Sequence, residues 1–142
     1  MTAGTDDALK LSLINDLGQI VDAAARIDAF CARHGLAEEI AFEVNLAVDE
    51  LLTNTISYGY DDDGEHRIEL VLRLEDGALV IEIADDGRAF DPLQAPAPDI
   101  GASLQDRAIG GLGIYLVRKT MDGVTYRRQD GRNVVTLTKL VA

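Results

Sequence analysis

A carboxylate and a carboxamide lie one helical turn apart in the stretch AVDELLTNTISYGYDDDG, residues 47–64. Apolar neighbours such as Leu51 and Leu52 indicate a helix with one buried side. At roughly 100° per residue, Glu50 and Asn54 lie about 40° apart and about 90° from the middle of that side. A carboxylate can accept a proton, and a carboxamide oxygen can bind a hard cation. At the border of the core both groups can face a ligand, or they can face only water.

A second candidate site follows a strand, in the stretch IEIADDGRAFDP. A strand that ends in Asp85 and Asp86 directs a carboxylate off the sheet edge, and such a carboxylate can accept a hydrogen bond from an exocyclic amine. Gly87 has no side chain, so a ring or another backbone segment can approach closely there. Taken alone, the same residues are also typical of an ordinary Asp-Gly turn.

A third candidate site is the glycine-rich stretch GGLGIYLVRK, which leads directly into a helix. Unobstructed backbone N–H groups at a helix N-terminus form an anion site that suits phosphates. The stretch is not a Walker motif, because no Lys-Ser or Lys-Thr follows the glycines, and it lacks the preceding strand of a Rossmann motif.

The periodicity predicts the elements that position these groups. A strand is expected near residues 8–14, followed by helices from about Leu17 to Gly35 and from about 37 to 58. A hairpin is expected over residues 67–85 with its turn at Glu75-Asp76-Gly77, then a helix from about Gly113 and a closing hairpin with its turn at Asp130-Gly131. Leu17, Val21 and Phe42 are assigned to the apolar sides of the first two helices. The order predicts an α+β two-layer sandwich, with a mixed, mostly antiparallel sheet and its helices on one face. A doubly wound sheet fits less well, because tight turns join the strands in pairs.

The segment from Asp86 to Gly111 holds all three prolines and little periodicity, which indicates a long loop. Loops of this length inside a compact domain are usually functional lids or disordered segments. Phe90 is expected to pack as an anchor at the base of this loop.

Composition limits the partners of the chain. Its 142 residues fit one domain, residues 1–142, and its formal net charge of −12 argues against direct binding of nucleic acid. Cys31 is the only cysteine, so no intrachain disulfide can form, and a cytoplasmic location is expected. The sequence has neither a signal-like N-terminus nor an apolar run of membrane-spanning length, so no membrane association is expected.

In their order along the chain, the three motifs resemble those of the histidine-kinase-like ATPase superfamily, which gyrase, heat-shock chaperone, sensor-kinase and mismatch-repair ATPases share. Glu50-x-x-x-Asn54, Asp85-x-Gly87 and Gly111-x-Gly113 match its three motifs. The stretches ELLTN, D-x-G-x-x-FDP and GGLGI-x-LV resemble most the stand-alone bacterial anti-sigma-factor serine kinases. This resemblance implies the fold of that superfamily, with ATP and magnesium as cofactors.

The resemblance also implies residue roles. Asp85 would bind the adenine amine, and Gly87 would make room for the base. Asn54 would hold a magnesium ion, and Glu50 would be the catalytic base. The phosphates would lie on the backbone amides of the glycine motif, under a lid of about residues 92–109, and the residues of that motif are Gly110, Gly111, Leu112 and Gly113. Arg107 would reach the terminal phosphate, or would be a solvated lid residue.

One departure concerns the last strand, where the superfamily often has a Gly-Thr pair whose threonine helps to bind the base. This chain has GRNVVTLTK, so another group makes that contact or the contact is missing.

The resemblance also implies a function for the whole chain. It implies a serine/threonine kinase that phosphorylates a small anti-sigma-factor antagonist, can sequester a sigma factor, and can form a homodimer. The alternatives are a nucleotide-gated binding module without phosphotransfer and an ATPase that only hydrolyses ATP.

Overall fold

The fold is described from a computed structural model, which covers residues 8–94 and 111–141. Its elements, in chain order, are β1 (Leu9–Ile14), α1 (Gly18–Arg33), α2 (Glu38–Tyr58), β2 (Arg67–Glu75), β3 (Ala78–Asp85), a short 3-10 turn (Pro92–Gln94), α3 (Gly111–Thr120), β4 (Gly123–Gln129) and β5 (Arg132–Leu140). The predicted order of elements is confirmed. The last helix begins two residues earlier than predicted.

The five strands form one sheet in the order β1-β2-β3-β5-β4, and every strand pair among the described residues is antiparallel. Along β2, Ile68, Leu70 and Leu72 are buried, whereas the residues between them are partly exposed. Such alternation is typical of a sheet that is covered on one face only. The predicted sandwich with helices on one face is therefore confirmed.

Both predicted hairpin turns are present. Asp76 and Gly77 have φ values of 49° and 79°, and Asp130 and Gly131 have φ values of 54° and 75°. Two consecutive residues with positive φ form the turn that best matches the twist of antiparallel strands, and Asp-Gly adopts it readily. Because these turns are two residues long, they fix the register of β2 with β3 and of β4 with β5.

The core lies between the sheet and α1, α2 and α3, with Phe30, Ile27, Leu52 and Ile114 among its fully buried side chains. The assignment of Leu17, Val21 and Phe42 to buried sides is wrong, since they are 53%, 73% and 68% exposed. Leu17 precedes α1, and Val21 and Phe42 lie on parts of α1 and α2 that neither the sheet nor the neighbouring helix covers.

Helices α2 and α3 carry two of the three motifs, and the side chain of Lys139 joins both helices to the sheet. The Lys139 ammonium group, at the end of β5, donates to the carbonyl of Thr120 at 2.7 Å and pairs with Glu43 at 2.9 Å. This contact joins the last turn of α3, the first half of α2 and the sheet. Among the described residues, no helix combines the length and the apolar character that crossing a membrane requires.

Candidate functional site

The site begins where β3 ends beside the start of β5. The antiparallel register places Asp85 opposite Asn133, and these two residues are 6% and 5% exposed. A carboxylate and a carboxamide at this depth need hydrogen-bond partners, because an unpaired buried polar group destabilises the fold. Sequence reasoning missed Asn133. A signal for it existed, because Asn133 is a polar residue that alternates in line with Val135 and Leu137, which are buried.

The Asp85 carboxylate is bonded at one oxygen only. Its Oδ1 accepts from the Gly87 backbone N–H at 2.8 Å and from Asn133 Nδ2 at 3.0 Å. Within residues 8–94 and 111–141, no donor lies within hydrogen-bond distance of Oδ2. Oδ2 can therefore accept from a ligand, and an amine is the group that it suits.

The second aspartate of the pair points elsewhere. Asp86 lies 3.2 Å from Nδ1 of His66, and the His66 ring is stacked on Tyr60 with 4.1 Å between the ring centroids. Hydrogen bonds that the His66 ring donates to the carboxylates of Asp62 and Asp86 raise its pKa. Of the two adjacent carboxylates, only Asp85 is therefore directed into the site.

Gly87 is required by a close crossing of two backbone segments. A Cβ at this position would lie 2.6 Å from the Gly59 carbonyl oxygen and 2.9 Å from Asp85 Oδ1. The same carbonyl of Gly59 accepts from the Arg88 N–H at 2.9 Å. The missing side chain thus lets the residues after β3 pack against the end of α2, which fixes the wall of the site.

Between this crossing and the sheet lies a cleft of about 330 Å³. Its walls are mostly apolar, with Leu51, Ile83 and Val135 on the sheet and helix side and Phe90 on the other. Phe90 is 46% exposed and lines the cleft, so the prediction that it packs as an anchor at the base of the loop is wrong. A mostly apolar cleft that is lined by a carboxylate with one free oxygen suits an aromatic base that carries an amine.

Arg88 closes the rim of the cleft and was not predicted. Its guanidinium donates from Nε to the Tyr58 carbonyl at 3.0 Å and pairs with Asp61 at 3.2 Å. Because the Tyr58 carbonyl belongs to the last turn of α2, this bond satisfies a carbonyl that the helix itself leaves free. Arg88 therefore holds the rim against α2.

At the other end of the site, Glu50 meets the start of α3. A Cβ at Gly113 would overlap the Glu50 carboxylate, so this glycine leaves the space that the carboxylate occupies. Burial raises the pKa of the Glu50 carboxyl, and the neighbouring Asp49 carboxylate raises it further. A raised pKa makes the carboxylate a better proton acceptor near neutral pH.

Asn54 links the two ends. Asn54 and Asp85 both line the cleft, and Asn54 lies one turn of α2 from Glu50. Its Nδ2 is buried, and none of the described residues offers it a hydrogen-bond partner. A carboxamide that is left free in this way fits a role toward a bound ligand.

The donor set also fits magnesium. Within the described residues, no group of three or more His, Cys, Asp or Glu side chains could hold a metal ion. Magnesium is often bound by one or two protein oxygens together with phosphates and water. An ion held by the Asn54 oxygen would therefore take its other ligands from a phosphate-bearing molecule and from solvent.

The glycine motif is described only in part. Gly111 and Leu112 form the first turn of α3 with Gly113. Arg107, Gly110 and the predicted lid beyond Gln94 lie outside the described residues. The structure thus brings together Glu50, Asn54 and Gly113 at one end and Asp85, Gly87 and Asn133 at the other.

The chain is similar to known proteins over most of its length. Residues 13–139 match the model of the family described as "Histidine kinase-like ATPase domain". The chain belongs to this family. It is 34% identical over 132 residues to the serine/threonine-protein kinase BtrW of Bordetella bronchiseptica. That match covers 93% of this chain and 92% of BtrW. The chain is also 24% identical over 119 residues to the anti-sigma F factor of Clostridium botulinum, which covers 84% of this chain and 83% of that protein.

A solved structure agrees with the fold. The crystal structure of the RsbU and RsbW domains of Rv1364c from Mycobacterium tuberculosis superposes with a TM-score of 0.68. The match covers 94% of this chain and 32% of that chain, at 17% sequence identity. At this identity the match shows the fold alone. The predicted histidine-kinase-like ATPase fold is therefore confirmed.

Proposed function

We propose that this chain is an ATP-dependent serine/threonine protein kinase and anti-sigma factor of a partner-switching system. One observation carries the proposal. Asn54 and Asp85 line the same cleft. Asn54 also lies one turn of α2 from Glu50, and the Glu50 carboxylate lies against Gly113. A base-binding cleft and a proton acceptor at a helix N-terminus therefore form one continuous site, which is what transfer of a phosphoryl group from ATP requires.

At the cleft end, the base of ATP lies between apolar walls. Its exocyclic amine donates to Asp85 Oδ2, the oxygen that has no partner among the described residues. A guanine base would instead present a carbonyl oxygen to this carboxylate, which is repulsive. Binding is therefore selective for adenine.

At the other end, backbone N–H groups at the start of α3 donate to the phosphates, and these groups belong to Gly111, Leu112 and Gly113. The Asn54 oxygen would hold a magnesium ion, and that ion would neutralise part of the phosphate charge. The roles that the resemblance implies for Gly110 and Arg107 stay predictions, because both residues lie outside the described part of the chain.

The transfer itself uses Glu50. The hydroxyl oxygen of a substrate serine or threonine forms a bond to the γ-phosphorus, and the bond from that phosphorus to the β–γ bridging oxygen breaks. The proton of the hydroxyl passes to Glu50, and ADP leaves with the electron pair of the broken bond. A chain that only bound nucleotide would have no need of this carboxylate.

The protein substrate is a small anti-sigma-factor antagonist, and a sigma factor is the alternative partner. The names of the relatives support this pair, since one is a serine/threonine kinase and another an anti-sigma factor. The net charge of −12 favours a basic docking surface on the sigma factor. Such binding weakens as salt is added, so affinity that does not depend on salt would contradict a charged interface. These partners would be met in the cytoplasm.

A homodimer is the proposed assembly. Strand β1 lies at the edge of the sheet and pairs with β2 alone among the described strands. An edge of this kind offers free backbone groups to a second copy. Light scattering of the purified chain, with and without nucleotide, measures the assembly directly, and a monomer at all concentrations would contradict it.

Phosphotransfer tests the proposed function. The purified chain is incubated with ATP labelled at the γ-phosphate and with candidate antagonists encoded beside its gene. We expect label on a serine or threonine of one antagonist, and we expect none when Glu50→Ala replaces the wild-type chain. Binding of ATP without transfer to any antagonist would instead favour a nucleotide-gated binding module, and turnover without an acceptor would favour a simple ATPase.

A further inference from the structure

Every hydrogen-bonding group of the Asn133 side chain is bonded to a group in or beside the cleft. Its Nδ2 donates to Asp85 Oδ1 at 3.0 Å and to the Arg88 carbonyl at 2.9 Å. Its Oδ1 accepts from the Phe90 N–H at 3.2 Å and from the Tyr126 hydroxyl at 2.7 Å. A carboxamide has two N–H bonds and two acceptor sites, so all four are used. A further contact of Nδ2 with the Gly87 carbonyl, at 3.5 Å, is long.

Chemistry fixes which way this amide points. The Phe90 N–H can only donate, and the Arg88 carbonyl and an ionised Asp85 can only accept. Turning the amide over would therefore face donors with donors and acceptors with acceptors. Because the side chain is 5% exposed, water does not compete for these bonds, and Asn133 is held in one orientation.

This arrangement determines what Asp85 presents. Asn133 and the Gly87 N–H both occupy Oδ1, so Oδ2 is the oxygen that remains for a ligand. The same amide holds the backbone of Arg88 and Phe90, both of which line the cleft. Asn133 thus determines which Asp85 oxygen can accept from an amine, and it also holds the wall beside the purine ring in place.

We propose that Asn133 is the positioning residue that makes this cleft selective for a purine with an amine at its sixth position. The inference rests on the proposed function, because it concerns the same nucleotide. Asn133 does not touch the base. It acts through Asp85, by keeping Oδ1 occupied and Oδ2 directed into the cleft.

Two nucleotides separate this role from a merely structural one. ATP carries the amine, and purine riboside triphosphate lacks it but keeps the ring, sugar and phosphates. The dissociation constant of purine riboside triphosphate divided by that of ATP, measured by calorimetry, reports the contact with Asp85 alone. In Asn133→Leu, which keeps the branched shape and removes the amide, we expect this ratio to fall about tenfold, the usual value of one hydrogen bond.

Tyr126→Phe is the matched control. It removes one donor to Asn133 Oδ1 and leaves both Nδ2 bonds in place. We expect a lower melting temperature and an unchanged ratio. If Asn133→Leu does not fold, Asn133→Ser replaces it, because the space left by the smaller side chain admits a water that satisfies the backbone groups.

Three results decide the matter. A reduced ratio in the Asn133 variant, together with an unchanged ratio in Tyr126→Phe, supports the inference. Equal weakening of both nucleotides in the Asn133 variant would overturn it and leave the proposed function standing. A wild-type chain that does not bind ATP would overturn the proposed function, and the inference with it.

Discussion

The two ends of the candidate site are built differently. At the cleft end, Asp85 and Asn133 are buried and bonded to each other and to the backbone around them. At the helix end, Glu50 is partly exposed, and Asn54 has a buried amide nitrogen without a partner among the described residues. At the first end only Asp85 Oδ2 lacks a partner among the described residues, and the bonds to Oδ1 hold that carboxylate in place. At the second end the buried Asn54 Nδ2 has no partner among them.

This difference indicates how the work is divided. A preorganised acceptor gives selectivity for a base at little cost in ordering. The Asn54 amide nitrogen gains an acceptor when a phosphate binds, so the helix end acts mainly on the reaction. We therefore expect mutations at the cleft end to change which nucleotide binds, and mutations at the helix end to change how fast the phosphoryl group is transferred.

The largest effect is expected for Glu50→Ala. Phosphotransfer should fall by about two to four orders of magnitude, the usual contribution of a general base, while the affinity for ATP stays within a few-fold. Labelled transfer and calorimetry measure the two quantities. Glu39→Ala, in the first turn of the same helix, is the control and should keep full activity. Full activity in Glu50→Ala would remove this residue from the reaction.

The next effect belongs to the cleft end. Asp85→Asn should weaken ATP by up to about 3 kcal/mol, or about 150-fold, because the amine loses its charged acceptor. GTP should weaken little or not at all. Asp86→Asn makes the same change at the adjacent position, which contacts His66, and should leave the preference for ATP intact. An unchanged preference in Asp85→Asn would refute the assignment of the base to this carboxylate.

Gly113→Ala tests the helix end without removing a functional group. The added methyl group overlaps the Glu50 carboxylate, so the carboxylate must move. A displacement of about 1 Å can reduce a rate about a hundredfold, and we expect a loss of that order in the transfer rate with folding preserved. Gly123→Ala is the control, because a Cβ there lies 3.4 Å from the Cβ of Thr138. Equal rates in the two variants would mean that Glu50 does not need its present position.

The smallest effect concerns pH. Glu50 must be ionised to accept a proton, so transfer should fall as the pH drops through its pKa. Burial and Asp49 both raise this pKa, so the fall begins at a higher pH than it would for an exposed glutamate. Asp49→Asn removes the second cause and should move the fall to lower pH. Asp22→Asn, which removes the same charge from α1, should leave the profile where it is.

Local patterns in the sequence predicted most of the fold. The helices and strands follow from periodicity, and both Asp-Gly turns have the positive φ values that their residue types favour. The burial of Leu17, Val21 and Phe42 was predicted wrongly, because an apolar side indicates a tendency to be covered and does not say how far the neighbouring elements extend.

The same limit applies to the site. The motifs identified Glu50, Asn54, Asp85 and the glycines, because their types and spacing are local features. The motifs did not identify Asn133, because its role depends on the pairing of β5 with β3. That pairing brings Asn133 beside Asp85, which is 48 positions away in the chain. Sequence reasoning noted only that the last strand lacks the expected Gly-Thr pair. The carboxamide that bonds Asp85 became evident from the register of the strands.

Calorimetric titration with ATP and GTP, each with and without magnesium, tests the central claim most directly. The two-ended site predicts that ATP binds more tightly than GTP in both conditions, because the cleft end is already built. It also predicts that magnesium strengthens the binding of ATP, because the helix end needs the ion. Equal binding of the two nucleotides, or no binding at millimolar concentration, would contradict the account.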